Sequence, residues 1–131
     1  MKITPDTNVL VRVLVEDDAE QSKAAQAILR KADVIAISIT ALCELTWVLS
    51  RGYKISAADI AISIRRLINA ANVAANRPVA EAGLALLDAG GDFADGVIAH
   101  EGNWLGADTF VSFDKKAVKL IEASGGLART P

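Results

Sequence analysis

The sequence predicts a three-layer α/β/α domain with a mostly parallel central sheet. Three observations lead to this fold class: the chain has 131 residues, 52% of them are hydrophobic, and short apolar stretches alternate with longer amphipathic ones. This share of apolar residues is too high for a disordered chain, and the length is typical of one domain. Strands that alternate with helices are typical of a parallel sheet covered by helices. We therefore expect residues 1–131 to form a single domain.

The elements follow from hydrophobic periodicity and from local start and stop signals. Strands are predicted at 2–5, 33–37, 73–75 and 109–113, where short apolar runs occur. Helices are predicted at 8–15, 19–32, 40–51, 57–68, 78–90, 92–104 and 115–123, where apolar residues recur at three- and four-residue spacing. Gly52 is suited to end the third helix, Ser56 and Asp59 have the spacing of a capping box, and Pro78 suits a first helical turn.

Composition excludes several classes of protein. One cysteine, Cys43, and one histidine, His100, cannot build a zinc cage, so any bound metal must be held mainly by oxygen atoms. The net charge of −2 and the 5% of aromatic residues are not those of a passive nucleic-acid binder. No uncharged apolar run is long enough to span a membrane, and an acidic residue precedes any signal-peptide region. We expect a soluble, cytoplasmic protein without a membrane partner.

Four aspartates lie where elements meet. Asp6 and Asp114 end strands, and Asp92 and Asp95 lie three residues apart at the start of a helix, where they can share one face. Ligands in such sheets collect beyond the carboxyl ends of the strands, which favours a common site. Each aspartate also has a simpler interpretation, because Asp is a favoured helix N-cap.

Glu44 is harder to explain as a cap because it lies in the middle of a helix. Its position is on the strip of Ala41, Leu45 and Val48, so we expect the carboxylate to be buried. A buried carboxylate costs several kcal/mol unless a partner compensates it. A cation is one such partner. The alternatives are a salt bridge to Arg12 or Arg51, or a side chain that reaches out to solvent.

Carboxylates that converge on one point repel one another unless a positive ion joins them. Mg²⁺ and Mn²⁺ prefer oxygen ligands and assist hydrolysis of phosphodiesters. The acidic set therefore predicts a site for one of these ions and a hydrolytic activity.

Four short segments together resemble the signatures of the PIN domain. They are Asp6-Thr7-Asn8-Val9-Leu10-Val11-Arg12, Glu44 within a helix, Asp92-Phe93-Ala94-Asp95-Gly96-Val97-Ile98-Ala99, and Ser112-Phe113-Asp114. In length and order they are most similar to a VapC-type toxin ribonuclease of a toxin-antitoxin pair. The resemblance extends from the first strand to the helix after Asp114.

The resemblance implies a set of roles. Asp6, Glu44, Asp95 and Asp114 would be the catalytic quartet that binds Mg²⁺ or Mn²⁺, and the accessory residues would be Asp92, Thr7, Asn8 and Ser112. The family further implies endoribonuclease activity on RNA, a homodimer, and inhibition by a cognate antitoxin protein. Gly96 replaces an alanine common in the family, and we expect it to loosen the first turn of its helix.

Other residues support weaker interpretations. Trp47 and Trp104 are expected in the core or in a dimer interface. Basic residues, including Lys115, Lys116 and Lys119, are candidates for contacts with the RNA backbone, but solvated helix faces have the same pattern.

Two other functions remain open at this point. A receiver-like signalling module is also a small α/β domain with acids at strand ends, but it needs a phosphoacceptor aspartate after a middle strand. A catalytically silent PIN-like scaffold is the second alternative, although the acidic set is complete.

Overall fold

The computed structural model describes residues 1–131 and contains the predicted alternation of strands and helices. In chain order the elements are β1 (Lys2–Ile3), α1 (Thr7–Leu14), α2 (Ala19–Lys31), β2 (Val34–Ile37), α3 (Ile39–Trp47), a π-helical turn (Val48–Gly52), α4 (Ala57–Asn69), β3 (Val73–Ala75), α5 (Arg77–Asp88), α6 (Phe93–Trp104), β4 (Thr109–Val111), α7 (Lys115–Ala123) and β5 (Leu127–Arg129).

All strand pairs are parallel, as predicted. The strands β1, β2 and β3 form one sheet in that order, with Ile3 opposite Ile35 and Ile35 opposite Val73. The strands β4 and β5 form a second, two-stranded sheet in which Phe110 lies opposite Ala128. Parallel neighbours need a crossover connection, and helices provide it between every pair in this chain.

The chain contains two compact units, Met1–Asn76 and Arg77–Pro131. Unit 1 contains the three-stranded sheet with α1 to α4, and unit 2 contains α5 to α7 with the two-stranded sheet. The single domain expected from the sequence stays a prediction.

The core of unit 1 consists of aliphatic side chains from the apolar faces of its helices. The side chains with almost no exposed surface are Leu10, Leu42, Leu45, Leu49, Ile60 and Ile64. Full burial of a Leu or Ile side chain contributes about 1.5–3 kcal/mol. The three- and four-residue spacing of these positions is therefore what fixes the face that each helix turns inward.

Glycines allow α5 and α6 to approach closely in unit 2. A Cβ atom at Gly96 would lie 2.4 Å from the carbonyl oxygen of Ala82, and one at Gly83 would lie 2.6 Å from the ring of Phe93, which is fully buried. The missing side chain of Gly96 is what lets the two backbones meet. The expected loosening of its helix is a separate effect and stays a prediction.

Three further features differ from the predictions. The third predicted helix is interrupted at Val48. There the amide of Tyr53 donates to the carbonyl of Val48, five residues earlier, at 3.3 Å. The strand β5 was not predicted. Trp47 and Trp104 are not core residues, because 62% and 82% of their surfaces are exposed.

Candidate functional site

Asp6 caps the first helix of unit 1. Its Oδ1 accepts a hydrogen bond from the amide of Thr7 at 2.7 Å, and its Oδ2 accepts one from the Asn8 side-chain amide at 3.3 Å. The residue lies between β1 and α1, and its carboxylate is exposed. The capping interpretation of Asp6 is thus confirmed. The two hydrogen bonds also fix the direction of the carboxylate.

Glu44 is linked to the same helix end through Thr7. The buried hydroxyl group of Thr7 donates to Oε2 of Glu44 at 3.3 Å, which joins α1 to α3. Glu44 itself is exposed, so the expectation of a buried carboxylate is wrong. Its position is at the edge of the strip that contains Ala41 and Leu45, and the side chain leaves the core there.

The salt-bridge alternative for Glu44 finds no support, because Arg12 pairs elsewhere. Its guanidinium donates to Asp17, to Oε1 of Gln21 at 2.7 Å and to the hydroxyl oxygen of Tyr53 at 3.4 Å. The Tyr53 hydroxyl group in turn donates to Asp17 at 3.0 Å. The hydrogen bond to Tyr53 and then that to Asp17 raise the pKa of Arg12 above its ordinary value. Glu44 forms no ion pair with Arg12 or Arg51.

Two aspartates of unit 2 cap helices. Oδ1 of Asp92 accepts from the amide of Ala94 at 3.3 Å at the start of α6, and Oδ1 of Asp114 accepts from the amides of Lys116 and Ala117 at 3.0 and 3.1 Å at the start of α7. The second oxygen, Oδ2, accepts no hydrogen bond in either residue. Each carboxylate is therefore oriented by its helix through one oxygen and leaves the other available to a ligand.

Asp95 differs from the other acids because no group of the protein pairs with it. It lies half-buried in the first turn of α6, one helical turn after Asp92. Its pKa is raised above the ordinary value of 3.8, first by burial and then by the negative charges of Asp92 and Asp114. The carboxylates of Asp92 and Asp114 are thus close enough to act on that of Asp95. No cationic side chain of unit 2 forms a salt bridge with any of the three.

Ser112 holds the backbone that carries Asp114. Its hydroxyl oxygen accepts from the amide of Asp114 at 3.0 Å, and its own amide donates to the carbonyl of Arg129 at 3.2 Å. These contacts place the Ser112 hydroxyl group against the backbone of Asp114, and its accessory role stays a prediction. The second of them depends on β5, which the sequence pattern did not indicate.

The structure groups the predicted residues within each unit. Asp6, Thr7, Asn8 and Glu44 are connected in unit 1, and Asp92, Asp95, Asp114 and Ser112 lie together in unit 2. No three Asp, Glu, His or Cys side chains are grouped so that they could hold a metal ion. The available donors are nevertheless oxygen atoms of negatively charged groups, which is the donor chemistry that Mg²⁺ and Mn²⁺ prefer. The donor set therefore fits these ions.

Unit 2 also contains an open cavity of about 550 Å³. It lies between α6, β4 and the end of α7, and His100, Asn103 and Thr109 are among its lining residues. None of Asp92, Asp95 and Asp114 lines this cavity. His100 therefore belongs to a different part of unit 2 than the carboxylates.

The strand ends test the receiver-like alternative. A receiver needs a phosphoacceptor aspartate directly after a middle strand, but β2 is followed by Ser38 and β3 by Asn76.

The helices test the expectation about membranes, and none of them has the length and apolar character needed to cross one.

Comparison with known protein families gives one match. The sequence profile described as the PIN domain matches residues 3–122, which is most of the chain and includes all the acidic residues discussed above. PIN domains have the three-layer α/β/α fold, and the fold class predicted from the sequence is confirmed. The family includes VapC toxins and other nucleases. A search of curated proteins returned no match.

Proposed function

Because the chain belongs to the PIN domain family, we propose that it is a metal-dependent endoribonuclease that hydrolyses RNA phosphodiester bonds. PIN domains are typically nucleases, and they generally use divalent metal ions. Asp95 carries the proposal for this chain. It is a half-buried carboxylate without a partner, and two neighbouring carboxylates raise its pKa. Negative charge that the protein leaves uncompensated in this way favours binding of a cation.

We propose that Asp6, Glu44, Asp95 and Asp114 bind Mg²⁺ or Mn²⁺. Asn8 orients Asp6, Thr7 orients Glu44, and Ser112 holds the backbone of Asp114. Asp92 has an accessory role in this proposal. Its Oδ2 atom accepts no hydrogen bond and is therefore available to orient the attacking water.

The chain's part in the reaction is to hold charge and position. The water oxygen forms a bond to phosphorus, the bond from phosphorus to the leaving oxygen breaks, and the proton of the water passes to a carboxylate or to solvent. A bound divalent ion supplies a more acidic water and stabilises negative charge on the phosphoryl group. The raised pKa of Asp95 means that ion binding has to displace a proton from it more often than from an ordinary aspartate.

The test is cleavage of synthetic RNA by purified protein that has been freed of any partner, with MgCl₂ or MnCl₂ and with EDTA. We expect cleavage only with the ions. Asp95→Asn should lower kcat/KM by at least about 10–100-fold, which is the effect of losing even an indirect partner of a metal site. Glu101→Gln is the matched control, because it removes an exposed carboxylate from the same helix and should leave cleavage unchanged.

The outcomes separate the proposal from the remaining alternative. Absence of cleavage with both ions would contradict the proposal and favour a silent PIN-like scaffold. Equal loss of activity in Asp95→Asn and Glu101→Gln would contradict the specific role of Asp95.

We further propose that the protein is the toxin of a toxin-antitoxin pair, that it acts as a homodimer, and that a cognate antitoxin inhibits it. The order and spacing of the acidic segments, which resemble those of VapC-type toxins, support this narrower proposal. Growth arrest on expression of the wild type, relieved by Asp95→Asn and by co-expression of the adjacent reading frame, is the expected result. Normal growth in the presence of active wild-type enzyme would contradict the toxin role.

A further inference from the structure

Phe113 is exposed to an unusual degree for a phenylalanine. Its exposed fraction is 86%, the highest among the large hydrophobic residues, whereas Phe93 is fully buried in the same unit. It lies between Ser112 and Asp114, directly beside the carboxylate cluster of unit 2. Single exposed apolar residues are common on protein surfaces. The position next to a candidate catalytic carboxylate is what makes this one informative.

The backbone on both sides of Phe113 is held in place. The amide of Ser112 donates to Arg129 at 3.2 Å, and the amide of Asp114 donates to the hydroxyl oxygen of Ser112 at 3.0 Å. The Asp114 side chain is fixed in turn by two amides of α7. The ring is therefore presented from a segment that needs little further ordering, and a binding partner loses less conformational entropy there.

The charges next to Phe113 suit a polyanion. Lys115 and Lys116 are exposed and follow Asp114 directly, so two positive charges lie beside the carboxylates, whose own charge a bound divalent ion would offset. An aromatic ring combined with cationic groups is the usual composition of surfaces that bind single-stranded nucleic acid. Base faces in a duplex are covered by their neighbours, and only an unpaired base can stack on a protein ring.

We propose that Phe113 stacks on an unpaired base of the RNA substrate, next to the phosphate that the carboxylates receive. This inference rests on the proposed ribonuclease function. Lys115 and Lys116 contact the adjoining phosphates. Trp104 serves as the comparison, because it is 82% exposed but lies at the other end of α6, about 14 Å from Asp95 along the helix axis.

The experiment measures the Kd of a fluorescent, unstructured RNA oligonucleotide and of the same sequence in a duplex, by anisotropy. All variants carry Asp95→Asn to prevent cleavage, and MgCl₂ is present. We expect Phe113→Ala to weaken binding of the single strand roughly 5- to 150-fold, the equivalent of the ~1–3 kcal/mol of one base-aromatic stack. Phe113→Trp should retain affinity, Phe113→Leu should be as weak as Phe113→Ala, and duplex affinity should not change. Trp104→Ala is the matched control and should bind like the parent.

Several results would overturn the inference. Unchanged affinity in Phe113→Ala, or full affinity in Phe113→Leu, would show that the ring does not stack on a base. A changed molecular mass in size-exclusion chromatography, with unchanged RNA affinity, would assign Phe113 to a contact between protein chains. Cleavage by the wild type with unaltered RNA binding by Phe113→Ala would refute this inference and leave the proposed function intact. Phe113-dependent binding without any metal-dependent cleavage would refute the proposed function alone.

Discussion

At the scale of single residues, capping a helix and binding a ligand are compatible roles for the same aspartate. Asp92 and Asp114 each use one oxygen for the helix and leave the other without a hydrogen bond. A carboxylate that is already oriented needs no further ordering when an ion arrives. The capping pattern, which in the sequence favours an ordinary structural role, is thus also a means of preparing a site.

The raised pKa of Asp95 leads to a prediction about stability and pH. Between its ordinary and its raised pKa, the folded chain holds a proton that the unfolded chain has lost, so this residue makes the fold less stable as pH rises through that window. Asp95→Asn removes the penalty. We expect the two proteins to have similar Tm values near pH 3, and the variant to have the higher Tm near pH 7.

Thermal unfolding followed by circular dichroism in EDTA checks this expectation, because EDTA removes cations that would mask the repulsion. Glu101→Gln again serves as control and should show no such pH-dependent difference. A constant difference in Tm between wild type and Asp95→Asn at all pH values would contradict the electrostatic explanation.

At the scale of the helices, α5 and α6 approach at the glycine positions, and this contact carries a second prediction. Gly96→Ala would push a methyl group against the backbone of Ala82. Neither backbone can yield cheaply, so we expect a loss of about 1–3 kcal/mol in the free energy of unfolding. Urea denaturation measures it.

Gly102→Ala is the matched substitution on the same helix. Nothing lies within 4 Å of the position of its Cβ. Because alanine is the better helix former, this variant should gain up to about 1 kcal/mol. Equal effects of the two substitutions would show that helix propensity, and not the approach of α5, determines the result.

The elements could be predicted from the sequence where local patterns decide them. The seven helices and four of the strands lie within a few residues of their predicted bounds, because apolar spacing and caps such as Ser56 are local signals. The strand β5 could not be predicted in this way, since its assignment depends on pairing with β4. The π turn was also missed, because a single turn of five residues is too short to change the apolar pattern of the helix before it.

The candidate site was predictable in its residue types but not in all its surroundings. Spacing and resemblance identify the acids, whereas the exposure of Glu44 depends on how α1 lies against α3. The close contact at Gly96 has no sequence signal other than the glycine itself. The exposed ring of Phe113 has none either, because apolar residues at strand ends are usually covered.

At the scale of the whole molecule, the proposed single domain can be tested through its two compact units. If residues 1–131 unfold as one domain, amides in β2 of unit 1 and in α5 of unit 2 should share one opening free energy. Hydrogen exchange at rising urea concentration, read at buried positions such as Ile35 and Leu84, measures both. Opening of α5 at clearly lower urea than β2 would show two domains. If the chain is one domain, Gly96→Ala should lower the opening free energies of β2 and α5 equally. If it is two domains, the substitution should lower only that of α5.

The π turn determines where the following residues point. It accommodates one residue more than an α turn, and one residue corresponds to about 100° of rotation around a helix. Tyr53 follows this turn, and its hydroxyl group meets both Asp17 and Arg12. A chain with one residue deleted from Val48–Gly52 would regain a regular spiral but would aim its tyrosine in another direction. The irregular turn therefore sets the direction in which the tyrosine that follows it points.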